Sequence, residues 1–142
     1  MTRTPSSLIL AVVLGSAPVL AAGSCSSTPS MVLDSDLPAV PGLESVYARN
    51  LERRDGSLVA GRIVYRGRIE DAGALLDRTI ALYSSAGWTV LRKDSNRISA
   101  EAFVARGDRR CAISIRSNRI DPAMSQAQLV LGTTSPDGPS SS

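Results

Sequence analysis

The chain has 142 residues, 43% of them hydrophobic, and a formal net charge of +3; that is enough for one folded domain with targeting and tail segments, and it excludes a wholly disordered chain. Histidine is absent and there are only two cysteines, which removes the commonest general base and metal ligand and leaves too few ligands for a structural zinc site. No cofactor and no metal are expected.

The chain opens with one charge, Arg3, followed by a short apolar run over residues 8–14 that Gly15 and Pro18 interrupt. This run is too short to span a bilayer, which takes about 20 apolar residues. A charged start, an apolar centre and an exit of small residues predict a secretory signal peptide over residues 1–24. The exit, Ala22-Gly23-Ser24-Cys25, resembles the lipobox of bacterial lipoproteins. The resemblance implies cleavage before Cys25 and acylation of its thiol, and two or three acyl chains anchor durably where one does not. A Ser at position 26 implies, by the same resemblance, onward transport to the periplasmic side of the outer membrane. The alternative is an ordinary cut after Gly23, which would leave Cys25 free to pair with Cys111.

Residues 25–42 are rich in Ser, Pro and Asp and show no apolar period, so they are expected to form a flexible tether. The domain is expected over residues 43–134, with a disordered tail over residues 135–142.

Within the domain, Asp55-Gly56 predicts a tight hairpin turn, because both central positions of a type I′ turn need positive φ. The arm after it carries Val59, Ile63, Val64 and Tyr65, and Gly61 marks a bulge or a close approach. The period then changes. Ala72, Leu75, Leu76, Thr79, Ile80, Leu82 and Tyr83 form a helical stripe, with Glu70 and Asp71 at its positive end and Gly87 to stop it. Short strands return with Trp88 and Val90 on one side, at Ile98 to Val104, at Cys111 to Ile115 and at Ala127 to Leu131, separated by turn residues. The order β-β-α-β-β-β-β predicts an α+β two-layer sandwich, one helix on an antiparallel sheet of four to six strands.

Chemistry is sparse. There is no phosphate-binding glycine loop, and Glu70-Asp71 is explained by helix capping. Cys111 shares the inward phase of Ile113 and Ile115, and with no histidine to partner it burial is the expected role. The chain is therefore not expected to be an enzyme. Arginine is the remaining feature: 15 of the 16 basic residues are Arg, the other being Lys93. Arg62, Arg66 and Arg68 have even spacing and should emerge on one face of a strand. Arg109, Arg110 and Arg116, with Arg106 and Arg119, gather around a neighbouring turn and strand. Together these six or more side chains are candidate anion-binding residues, the alternative being a solvated face paired with Asp94, Glu101 and Asp108.

Over roughly residues 41–134, a strand ending in Tyr65-Arg66-Gly67, a helix, Gly87-Trp88 and a strand meander resemble small bacterial envelope lipoproteins of uncharacterised role. The resemblance implies a β-α-β domain and brings no catalytic residues. The expected role is a non-catalytic binding or assembly domain held in the cell envelope by its lipid. A partner would be an envelope protein, or an anionic polymer or lipid bound through arginine, and nucleic acid is not expected for an exported chain.

Overall fold

Alternation with a period of two organises most of this molecule. The computed structural model describes residues 28–134; the expected signal peptide over residues 1–24, Cys25 and the expected tail over residues 135–142 lie outside the described residues. β1 (Glu44–Arg54) and β2 (Ser57–Gly67) form the predicted hairpin, with Asp55 and Gly56 at φ 51° and 80°. These values suit a type I′ turn, which matches strand twist. α1 (Ala72–Ser85) follows, then β3 (Thr89–Ser95), β4 (Ser99–Arg106), β5 (Arg109–Arg116) and β6 (Ser125–Thr133). The six strands make one antiparallel sheet in the order β1-β2-β6-β5-β4-β3. One helix on one face makes the fold α+β in two layers.

The helix ends are built by local chemistry. Asp71 caps the N-terminus by accepting from the Ala74 amide at 2.9 Å, satisfying a donor with no partner inside the helix. At the other end Trp88 N–H donates to the Tyr83 carbonyl at 2.9 Å and Gly87 N–H to Ser84 at 3.1 Å, with Gly87 at φ 86°. This pair of bonds is a Schellman stop, and its apolar contact is the edge-to-face packing of Trp88 on Tyr83, centroids 5.6 Å apart.

The core lies on one sheet face. Ile63 and Tyr65 of β2, Ala100, Ala102 and Val104 of β4, Cys111, Ile113 and Ile115 of β5, and Ala127, Leu129 and Leu131 of β6 are all buried there. α1 packs on β3, β4 and β5. A helix is about 10 Å across, whereas six strands span about 24 Å between their outer axes. Half the inner face therefore needs a second cover.

The segment expected to be a flexible tether supplies part of that cover. Residues 30–39 fold back on themselves as a strap: Ala39 N–H donates to Ser30 O at 2.9 Å and Val32 N–H to Leu37 O at 2.8 Å. Val32, Leu37 and Val40 are buried in the same core as Ile63 and Tyr65. The domain therefore begins well before residue 43. The correction has a physical cause, since the uncovered half of the sheet gives these three side chains apolar surface that outweighs their ordering entropy.

Gly61 makes the close approach its sequence position suggested. It lies at φ 152°, and a side chain there would meet Leu51 Cδ2 at 2.6 Å. Asn50 and Leu51 sit at a register shift in β1 directly opposite it. The bulge lets Leu51 fold over the bare backbone of β2.

Candidate functional site: the open sheet face

The second face of the sheet carries no helix, and the strand register sets its pattern. Arg62 stands opposite Arg49 of β1 and Val130 of β6. Arg66 stands opposite Gln126 of β6, and Gln126 in turn stands opposite Arg116 of β5. Arg66 and Arg116 therefore flank one amide from two strands apart, about 10 Å at the backbone. Arg62, Arg66 and Arg116 are exposed. Among the described residues Arg62 and Arg66 make no ion pair, and Arg116 approaches Glu101 only at 3.8 Å.

Beside Arg116 the face dips into a shallow cleft of 520 Å³ lined by Ser114, Arg116, Asn118, Met124, Gln126 and Gln128. Its walls offer a guanidinium and three amides able to donate hydrogen bonds to oxygen, while the hydroxyls of Ser114 and Ser117 already donate to Glu101 and to the Ile69 carbonyl. No acidic side chain is among these lining residues, and Glu101 stands at the rim, accepting from the Ser114 hydroxyl at 3.5 Å and 3.8 Å from Arg116. Nearby, Val130, Ala112 and Phe103 form one cross-strand row, with Phe103 44% exposed. The open face thus offers donors for an anion beside a small apolar strip.

Of the six arginines singled out from the sequence, the structure places Arg62, Arg66, Arg110 and Arg116 on this face. Arg110 is partly engaged, donating to the Gly107 carbonyl at 2.8 Å. Arg68 lies beyond the end of β2 and is paired with Glu70 at 2.6 Å, so its charge is matched locally. Arg109 does not belong to the open face at all. It shares the phase of Cys111 and turns inward, where it forks onto Asp36 with bonds of 2.9 and 2.5 Å and donates to the Leu58 carbonyl at 3.1 Å. Its guanidinium lies 5.0 Å from the centroid of the Trp88 ring. Arg106 joins it, donating to Asp36 at 2.8 Å.

Asp36, which lies in the segment expected to be a tether, is the partner of both arginines. The Arg109 hydrogen bond holds the Asp36 carboxyl below the usual aspartate range against the opposing effect of partial burial, and the charges of Arg109 and Arg106 add to it. These side chains fasten the strap to the β4–β5 turn.

Cys111 is a free, buried thiol. Burial pushes it up to about 12, outweighing the 4.0 Å contact with the Tyr83 hydroxyl that pulls the other way. It packs as a core side chain. Lys93 stands in β3 and pairs with Asp77 of α1. No cluster of three or more His, Cys, Asp or Glu side chains able to hold a metal occurs among the described residues, and none of their helices is long and apolar enough to cross a membrane. No protein-family model, curated protein or solved structure matches the chain.

Proposed function

We propose that this chain is a lipid-anchored cell-envelope protein, attached through Cys25, whose domain binds an anionic polymer or lipid headgroup on its open sheet face without catalysis. The observation that carries the binding half is the placement of Arg66 and Arg116 on either side of Gln126, next to a cleft lined by guanidinium and amide donors. Planar guanidinium groups suit phosphate and carboxylate oxygens, and paired N–H donors fix their geometry. The anchoring half is supported by the lipobox-like Ala22-Gly23-Ser24-Cys25 and the short apolar run before it. Resemblance to envelope lipoproteins and the Ser at position 26 favour the outer membrane, facing the periplasm.

The test compares wild type with the Arg62→Gln, Arg66→Gln, Arg116→Gln triple variant, binding to vesicles of anionic or neutral phospholipid and to a soluble polyphosphate polymer. An arginine beside an anionic surface contributes about 1 kcal/mol, so the triple variant should bind the anionic probe at least tenfold more weakly. Wild-type binding should fall steeply with salt. Binding that survives both the substitutions and high salt would favour a second reading, a protein-interaction module. The exposed Phe103 beside Ala112 and Val130 favours that alternative.

A further inference from the structure

We infer that the β1 edge of the domain is seated on the bilayer that holds the anchor, an inference that rests on lipidation of Cys25. The strap decides the geometry. Ser30 and Met31 lie with Ser45 and Ala48 of β1 around one small cavity of 140 Å³, so the chain leaves the domain beside the middle of β1. Cys25 is five residues ahead of Ser30, and five residues reach at most about 18 Å. The acylated cysteine cannot stand far from this edge.

The edge has the surface that such a position requires. Met31, Leu33, Val46, Tyr47 and Leu51 are all large apolar side chains left 37–51% exposed, and all belong to the strap or to β1. Two arginines border them. Arg49 lies over the Tyr47 ring at 4.5 Å and Arg53 donates to the Leu33 carbonyl. Apolar bodies with basic or phenolic tips suit the headgroup boundary, where one end is in hydrocarbon and the other is wet.

Another copy of this chain is a poorer occupant. Strand pairing needs a regular edge, and β1 shifts register at three places along its length. Nor is charge the attraction, because Asp34, Glu44 and Glu52 balance Arg49, Arg53 and Arg54. Docking at this edge is therefore driven by apolar contact and persists at high salt, unlike binding at the open face. With β1 on the membrane, the sheet stands upright. Arg62 and Arg66 on β2 lie near the headgroups, and the cleft between β5 and β6 lies further out.

The experiment uses the full chain in the membranes of a bacterium that processes lipoproteins, with a bimane probe on Val46→Cys or on Leu91→Cys. Leu91 is 57% exposed on β3 at the opposite edge. Quenching by nitroxide-labelled lipid is read for both, and intact mass is measured on the same samples. The expected result is an acylated chain in which position 46 is quenched several times more than position 91, at low and high salt alike. An acylated chain with equal quenching at the two positions, or more at 91, overturns the seating and leaves the anchor standing. A chain without acyl mass overturns both.

Discussion

Asp36 and Arg109 join two parts of the chain 73 residues apart through two hydrogen bonds of 2.9 and 2.5 Å. The arginine side chain is 10% exposed and the aspartate 32%. Removing one partner therefore leaves a largely desolvated charge behind. Asp36→Ala should cost about 1–3 kcal/mol in urea unfolding, with faster amide exchange in residues 31–40. Asp77→Ala, which breaks an exposed pair with Lys93, should cost no more than about 1 kcal/mol. Equal effects of the two substitutions would deny Asp36 its fastening role.

The same pair sets an acid response. The folded state keeps Asp36 ionised to lower pH than the unfolded chain does. Its contribution is complete above the unfolded aspartate value of about 4 and is lost as pH falls through the lower folded value. The stability gap between wild type and Asp36→Asn should be constant near neutrality and close below that range. A gap that persists at the acid end would show that the carboxylate charge is not what holds the strap.

Leu37 tests whether the strap belongs to the core. It is fully buried, so Leu37→Ala should cost about 2–5 kcal/mol. A residue in a free tether would change stability by less than about 0.5 kcal/mol. Thermal or urea unfolding of the two proteins decides between these values.

Cys111 should be inert in the native protein. With its thiol pushed up to about 12 by burial, a thiol reagent at neutral pH should label it only after denaturant is added. The folded state holds this proton more tightly than the unfolded chain, whose thiol value is about 8.5. Its contribution is therefore full below that pH and declines as pH rises toward the folded value. Rapid labelling of the native protein at neutral pH would contradict the buried placement.

Strands β2, β4, β5 and β6 and the helix were legible because each carries a local period, whereas β1 and β3 are exposed along their whole length and show none. Asp71 and Gly87 mark the helix ends, and Asp55-Gly56 marks the hairpin. The strap was not legible. Val32, Leu37 and Val40 show no period of their own, and their burial depends on a half-sheet that α1 is too narrow to cover. Arg109 could have been placed from sequence, since it stands two residues before Cys111 and shares its inward phase. What the phase could not supply was its partner, because Asp36 lies in a segment whose composition reads as linker. On the open face, Arg62 and Arg66 were visible from spacing along one strand. Their relation to Gln126 and Arg116 needed the register between β2, β6 and β5.

Both the anchor and the seating of the β1 edge depend on Cys25. The most direct measurement is the intact mass of the protein recovered from bacterial membranes, beside a Cys25→Ala control. The account predicts a chain that begins at Cys25 and carries added acyl mass, with both the acylation and the membrane retention lost in the control. An unacylated chain in the soluble fraction would contradict it.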